Sequence, residues 1–190
     1  TDLRRTGQTN VMAALAQLAP SVSSPVFSGR GGNGFVRTMQ LRGLSADQTL
    51  ILVNGMRRHR SANFNINTGA NYTTEPADIG LIPMSAIDHV ELITEGASAL
   101  YGQDAIAGAV NIVLKHTPGQ GSFTVQDSGY YKGDGVGVDG AADYAFKIGP
   151  HGGFLDVFAQ ITHTQPANRS GPYSGQLYFA QPNGQPDPRD

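Results

Sequence analysis

Three segments near the end of the chain alternate between polar and apolar residues, and this pattern restricts the fold more than any other feature. The segments are residues 122–131, 138–148 and 153–163. Alternation with a period of two indicates β-strands that have one apolar face and one polar face. The sequence therefore predicts three antiparallel strands after Pro118.

The second segment shows the two faces most clearly. Tyr144, Phe146 and Ile148 share one face. Asp139 and Asp143 share the other. Strands of about 9 to 11 residues with such faces form the walls of transmembrane β-barrels, in which the apolar face meets lipid. A soluble antiparallel sheet gives the same alternation, so the pattern alone leaves both folds open.

Composition excludes several classes of site. The formal net charge is −2 and no basic run is long enough for nucleic acid, so nucleic acid is not an expected partner. Cysteine is absent and the five histidines have no familiar ligand spacing, so neither a metal nor a cofactor is predicted. No run approaches about 18 apolar residues, so no transmembrane helix is predicted either.

The part of the chain before these strands predicts an α+β domain, a small mixed sheet with short helices. A helix is expected over residues 10–19, with Thr9 or Asn10 as its N-cap. Shorter helical turns are expected at 83–87 and 97–100. Strands are expected at 35–42, 48–53, 89–94 and 110–115.

One of these strands, 48–53, is continuously apolar, which indicates that both of its faces are buried. Asn54 and Gly55 follow it and predict a tight turn. Loops rich in Gly, Asn, Ser and Arg are expected at 20–34 and 57–78. The second loop is long enough to indicate a functional or disordered segment.

Two patterns that could indicate a small-molecule enzyme lack the context that they need. Gly29, Gly31 and Gly34 have the spacing of a dinucleotide-binding loop, but a Ser/Pro segment precedes them and a predicted strand follows, so a flexible loop is predicted there. Glu91 and Glu95 lie four residues apart and share a face of a predicted strand, without a partner base or metal set. The pair predicts an edge or salt-bridge position, and no catalytic residue is proposed.

Two longer blocks resemble a known family. They are LRGLSADQTLILVNGMRRH at 41–59 and IDHVELITEGASALYGQDAIAGAVNIVLK at 87–115. In the plug domains of TonB-dependent outer-membrane receptors, Arg-Gly precedes a buried strand ending in Asp-Gly or Asn-Gly, and a Val-Glu-Val strand leads to Leu-Tyr-Gly and then Asn-Ile. The matching positions are Arg42-Gly43, Asn54-Gly55, Val90-Glu91, Leu100-Tyr101-Gly102 and Asn111-Ile112.

The resemblance implies an N-terminally incomplete plug domain at residues 1–117 and, at 118–190, the first three strands and an extracellular loop of a truncated transmembrane β-barrel. Such a receptor lies in the outer membrane of a Gram-negative bacterium. It imports a scarce nutrient, such as a siderophore or other iron chelate, a cobalamin or an oligosaccharide. The implied partners are a TonB-type energy-transducing protein, outer-membrane lipid and the small-molecule or oligosaccharide ligand.

The resemblance also implies the residues that meet the ligand and the barrel. Contact with the barrel is expected at Arg42, Glu91 and Glu95, although many family members carry a basic residue where this chain has Glu95. Ligand contacts are expected in the apical loops of the plug, at Arg30, Asn33, Arg57, Arg58, Phe64, Asn65, Asn71 and Tyr72. An alternative protein of another class is a soluble periplasmic binding or signalling domain with a plug-like fold, in which residues 122–163 form a closed soluble sheet.

Overall fold

The computed structural model describes five stretches of the chain, residues 2–8, 10–24, 36–62, 74–131 and 135–165. The chain forms two compact units. The larger unit contains Thr1–Val125 and Asp139–Ile161. The smaller unit contains Gln126–Val138 and Thr162–Asp190.

Two short helices lie at the start of the larger unit. α1 spans Asp2–Arg5 and α2 spans Val11–Leu18. Asn10 caps α2, because its Oδ1 accepts a hydrogen bond from the N–H of Met12 at 2.8 Å. This confirms the helix predicted over 10–19. α1 has no signal in the sequence, since four residues are too few to show a helical period.

A two-stranded sheet connects these helices to the rest of the domain. β1, Val22–Ser23, pairs antiparallel with β2, Gln40–Leu41. The prediction of a strand over 35–42 is therefore too long. Of residues 36–42, which the structure describes, only Gln40 and Leu41 form a strand. Its partner offers only two residues, and Arg42 and Gly43 then take φ values of 56° and 70°, which turn the chain.

A four-stranded mixed sheet forms the centre of the domain. Its strands are β3 Thr49–Val53, β4 Met56–Arg57, β5 Ile87–Ile93 and β6 Gly108–Leu114. The strand order is β4-β3-β6-β5, in which β3 is parallel to β6 and the other two pairs are antiparallel. The prediction that the strand at 48–53 is buried on both faces is confirmed, since β3 lies inside the sheet and Thr49 to Leu52 are buried.

The predicted turn and short helices are confirmed around this sheet. Asn54 and Gly55 connect β3 to β4 with φ values of 51° and 79°, as a tight hairpin turn requires. α3 spans Ala97–Tyr101, and single 3-10 turns lie at Met84–Ala86 and Gln103–Ala105. These elements bring the Leu-Tyr-Gly motif next to the sheet.

The core has two parts, one on each face of this sheet. Met12 and Leu15 of α2 belong to one cluster together with Ile51, Val110 and Ile112 of the sheet. The other cluster contains Leu50, Leu52 and Ala109 of the sheet with Ala97 and Ala105 from the α3 region. Because side chains alternate along each strand, β3 and β6 contribute to both clusters. The sheet is thus the middle layer of an α+β fold.

The three predicted antiparallel strands are confirmed, as β7 Gly121–Ser128, β8 Gly137–Ile148 and β9 Gly153–Thr164. They form a separate three-stranded sheet in which consecutive strands are neighbours, in the order β7-β8-β9. In the smaller unit the backbone N–H of Gln165 donates to the carbonyl of Val136 at 2.8 Å. No helix in the described part of the chain is long and apolar enough to cross a membrane.

The two faces of this sheet differ in chemistry. On one face, Asp139 is buried and accepts a hydrogen bond from Gln160 Nε2 at 2.6 Å, and Asp143 accepts one from Ser122. The opposite face is apolar and exposed. Its large exposed side chains in the larger unit are Phe123, Val125, Tyr144, Phe146, Ile148, Leu155, Val157 and Ile161.

Candidate functional site

A run of basic residues that begins at the end of β4 lines a cavity. Arg57, Arg58, His59 and Arg60 form this arginine cluster. The cavity has a volume of about 250 Å³. Pockets that enclose a whole drug-sized ligand measure roughly 300 to 1,000 Å³, so this cavity has room for one part of such a ligand. Its acidic lining residues are Asp47, Glu75 and Asp104.

Asp104 holds two arginines of the cluster. Arg57 Nη1 lies 2.6 Å from Asp104 Oδ2, and Arg60 Nη2 lies 2.9 Å from Asp104 Oδ1. Arg57 Nη2 also donates to the carbonyl of Tyr101. The side chains of Arg57 and Arg60 are 50% and 51% exposed, and exposed ion pairs are typically worth less than about 1 kcal/mol each. These contacts therefore orient the guanidinium groups more than they stabilise the fold.

Arg58 is less exposed than the other three residues of the arginine cluster. Its backbone N–H donates to the carbonyl of Ile51 at 2.9 Å, which fixes it beside the sheet. Its Nε is buried and has no hydrogen-bond partner among the described residues, and the same is true of Asp47 Oδ1. Buried polar atoms are nearly always bonded. A ligand that both donates and accepts hydrogen bonds suits this donor and acceptor.

The predicted ligand residues divide into two groups. Arg57 and Arg58 line the cavity. Arg60 and Asp104 lie there too without having been predicted, because their contact joins residues 44 positions apart, which no local pattern reveals. The remaining predicted residues lie outside the described part of the chain, namely Arg30, Asn33, Phe64, Asn65, Asn71 and Tyr72.

The prediction that Glu91 and Glu95 share a strand face is wrong. β5 ends at Ile93, so Glu95 lies beyond the strand, in a bend before α3. Glu91 is on the strand, and β5 is at the edge of the sheet as predicted. Glu95 and Arg42, the other two residues expected to meet the barrel, are both exposed.

Glu91 is held by its neighbours in the sheet. Its Oε2 accepts a hydrogen bond from Asn111 Nδ2 at 2.8 Å, and its Oε1 lies 3.6 Å from His89 Nε2. The hydrogen bond from Asn111 is the main cause that lowers the pKa of Glu91, and the nearby imidazole of His89 lowers it further. His89 Nδ1 is bonded to Asp88 Oδ2 at 2.7 Å, and this bond is the main reason that the pKa of His89 is raised.

Two further contacts join the end of β6 to the three-stranded sheet. Lys115 Nζ lies 3.2 Å from Asp143 Oδ1, and their side chains are only 17% and 7% exposed. His116 Nδ1 lies 3.1 Å from Asp156 Oδ2, and the His116 ring lies against that of Phe154 with centroids 3.9 Å apart. These pairs connect the sheet of the α+β domain to the strands that follow it. Neither pair is predicted from the sequence.

Metal binding has no support in the described part of the chain. No group of three or more His, Cys, Asp or Glu residues there has an arrangement that could hold a metal ion.

Comparisons with known proteins all point to the same family. The family model described as TonB-dependent Receptor Plug Domain matches residues 1–109. A Vitamin B12 transporter BtuB from Vibrio cholerae is 29% identical over 140 residues, which cover 69% of this chain and 21% of that protein. The Iron-regulated outer membrane virulence protein of Vibrio cholerae is 32% identical over 134 residues, covering 69% and 20% respectively. The chain thus spans about a fifth of the length of these curated relatives.

Solved structures show the same fold. The siderophore receptor PirA from Acinetobacter baumannii matches with a TM-score of 0.58 and 18% identity, over 86% of this chain and 24% of that one. A mutant of the ferric enterobactin receptor PfeA from Pseudomonas aeruginosa matches with a TM-score of 0.57 and 20% identity, over 95% and 30%. The family model covers more than half of the chain. The chain therefore belongs to the TonB-dependent receptor plug domain family, whose members lie in the outer membrane of Gram-negative bacteria.

Proposed function

We propose that the chain is part of an outer-membrane transporter that binds a scarce extracellular nutrient and imports it with energy from a TonB-type protein. One observation carries the proposal: a plug-family domain is followed directly by strands whose exposed face is apolar. The names of the relatives, a vitamin B12 transporter and receptors for siderophores, support a nutrient of this kind. An oligosaccharide remains within the proposed range of ligands.

The proposed domains are a plug at residues 1–117 and the first part of a barrel wall at 118–190, ending in an extracellular loop. The faces of the three-stranded sheet support this division. The exposed face carries eight large apolar side chains in the larger unit, and contiguous patches of this kind are rare on soluble monomers. In the proposed barrel the apolar face contacts lipid and the polar face contacts the plug, so each face meets a surface of matching polarity.

The proposed ligand site is the cavity of the arginine cluster, with Arg57 and Arg58 as contacts. Arg58 Nε and Asp47 Oδ1 support this assignment, since each lacks a hydrogen-bond partner in the described part of the chain. The volume of about 250 Å³ fits one polar group of a chelate, a cobalamin or a sugar. The predicted contacts at Arg30, Asn33, Phe64, Asn65, Asn71 and Tyr72 belong to the same proposal.

The test uses the full-length receptor in cells that lack it. Uptake of labelled vitamin B12, of ferric enterobactin and of an oligosaccharide is measured with and without a working TonB protein. We expect uptake of one of them to depend on both proteins. We also expect Arg58→Ala to weaken binding of that ligand by about tenfold, as loss of a charge-assisted hydrogen bond predicts. Lys147→Ala is the control, because Lys147 is an exposed cation that does not line the cavity.

Three results would contradict the proposal. One is recovery of the full-length protein in the soluble fraction without detergent, which favours the soluble periplasmic domain. Another is equal binding by the Arg58 and Lys147 variants, which removes the arginine cluster from the ligand site. The third is TonB-independent uptake of all three nutrients, which argues against active transport.

A further inference from the structure

A line of side-chain hydrogen bonds crosses the four-stranded sheet from the β3–β4 turn to β5. The backbone N–H of Gly55 donates to Asn111 Oδ1 at 2.9 Å. Asn111 Nδ2 donates to Glu91 Oε2 at 2.8 Å. Glu91 and Asn111 are direct partners in the antiparallel β5–β6 pair, which brings their side chains together. The turn is thus connected to an edge strand two strands away.

The chemistry of Glu91 decides which way the Asn111 amide points. An amide side chain has one end that donates and one end that accepts, whereas an ionised carboxylate only accepts. Glu91 therefore takes the NH₂ end of Asn111. This leaves the oxygen of Asn111 facing Gly55, which is the orientation that the Gly55 N–H needs.

The β3–β4 turn sets the position at which the arginine cluster begins. β4 has only two residues, and its pairs with β3 are Val53 with Met56 and Leu52 with Arg57. Asn54 is held separately, since its Oδ1 accepts from the N–H of Leu114 at 2.8 Å. The bond to Asn111 fixes the second turn residue, Gly55. The turn therefore helps to set the register of this two-residue strand, together with the bond from the Arg58 N–H to the Ile51 carbonyl.

We propose that Glu91, acting through Asn111, is a positioning residue for the β3–β4 turn and hence for the arginine cluster that follows it. This role differs from the barrel contact expected for Glu91. The effect on the turn depends only on the bonds described above. The effect on ligand binding rests on the proposed function, so the experiment measures the two separately.

Hydrogen exchange of the full-length receptor, read in a peptide covering residues 54–60, measures the turn without any ligand. In Glu91→Lys the new ammonium only donates, so it attracts the oxygen of Asn111 and turns it away from Gly55. We expect exchange in this peptide to rise about fivefold, the equilibrium effect of one ordinary hydrogen bond. Glu91→Gln keeps an acceptor and is expected to exchange close to the unmodified rate.

Two further variants complete the test. Glu95→Lys makes the same charge change four residues away, beyond the end of β5, and is expected to leave the peptide unchanged. Asn111→Ala removes the acceptor of Gly55 directly and is expected to match Glu91→Lys, so it replaces that variant if the latter fails to fold. Equal exchange in Asn111→Ala and Glu95→Lys overturns the proposal. A Glu91→Gln rate as high as that of Glu91→Lys overturns it as well.

Binding of vitamin B12 and of ferric enterobactin is then measured for the same variants. If the turn loosens as expected and affinity falls with it, both the positioning role and the ligand site stand. If the turn loosens and affinity for the transported nutrient is unchanged, the positioning of the turn stands and the arginine cluster is not the ligand site. If affinity falls without any change in exchange, the positioning role of Glu91 is wrong, and the proposal for the ligand site still stands.

Discussion

The imidazole of His89 lies between two carboxylates on β5, and this placement sets its protonation. Its bond to Asp88 is shorter than its contact with Glu91, 2.7 Å against 3.6 Å. Both raise the pKa of His89, and the bond to Asp88 is the larger cause. Because the pKa is raised in the folded state, this contribution to stability is complete below about pH 6.5, the ordinary value. It is lost as the pH rises through the raised pKa.

The first prediction concerns these residues. Asp88→Asn is expected to lower the pKa of His89 more than Glu91→Gln does, since the hydrogen bond to Asp88 is the larger cause. NMR titration of ring-labelled histidine in the receptor measures both shifts, with His89→Gln assigning the signal. A reversed order would show that the contact with Glu91 is the stronger one, and equal shifts would contradict the larger effect of Asp88.

A glycine provides a second residue-scale prediction. Gly108 has φ 130°, and a Cβ added there would lie 2.6 Å from the carbonyl oxygen of Ile93. Gly108→Ala is therefore expected to destabilise the protein by about 2–4 kcal/mol, from backbone strain and overpacking. Gly140→Ala is the control, because a Cβ there meets nothing within 4 Å and the φ is ordinary. Urea unfolding measures both, and equal stabilities would contradict the strain.

At the scale of elements, structure that depends on a few neighbouring residues can be predicted from the sequence, whereas strand pairing between distant residues cannot. The Asn10 cap, the apolar run of β3 and the Asn54-Gly55 turn are each readable within a few residues, and all are confirmed. The β1–β2 sheet depends on a register between residues almost twenty positions apart, as Val22 with Leu41. Such a pairing leaves no periodic trace in either two-residue strand.

The Lys115–Asp143 pair gives the element-scale prediction, because it joins the end of β6 to β8. Both side chains are largely buried, and removing one partner of a buried ion pair leaves an uncompensated charge. Lys115→Met is expected to destabilise the receptor by about 2–4 kcal/mol. Lys147→Met, on an exposed lysine of β8, is expected to change stability little.

Thermal unfolding in detergent measures both lysine variants. A second variant, Lys115→Met combined with Asp143→Leu, removes both charges and is expected to recover part of the loss. If the double variant recovers none of the lost stability, the loss comes from the packing of the aliphatic part of the Lys115 side chain and not from the unpaired charge on Asp143.

At the scale of the whole molecule, the two faces of the β7–β9 sheet decide between lipid and water. Alternation in the sequence predicts both faces, but it does not say what covers the apolar one. The family supplies that context, and it is carried by motifs such as Leu100-Tyr101-Gly102 and Asn111-Ile112 outside the sheet. The barrel wall is therefore proposed from the fold as a whole and not from any single strand.

Two neighbouring residues of β7 test this directly. Val125 is 61% exposed on the apolar face, and Thr124 lies on the opposite face. Val125→Lys is expected to destabilise the membrane-inserted receptor by about 2–4 kcal/mol if it lies near the bilayer midplane. Thr124→Lys adds the same charge on the polar face and is expected to be tolerated. Folding of the full-length receptor into lipid vesicles measures both, and equal tolerance contradicts a lipid-facing surface.

One hydrogen bond of the plug bears on how such receptors diversify. The backbone N–H of Ser61 donates to the carbonyl of Pro76 at 3.0 Å, so the two ends of the intervening segment meet. Once the ends of a loop are joined, doubling its length costs only about 0.6 kcal/mol in closure entropy. Segments of quite different length and composition can therefore be exchanged between these two anchor points without disturbing the sheet. Under the proposed function this segment carries the ligand contacts expected at Phe64, Asn65, Asn71 and Tyr72, so exchanging it alone is expected to change the nutrient that is bound.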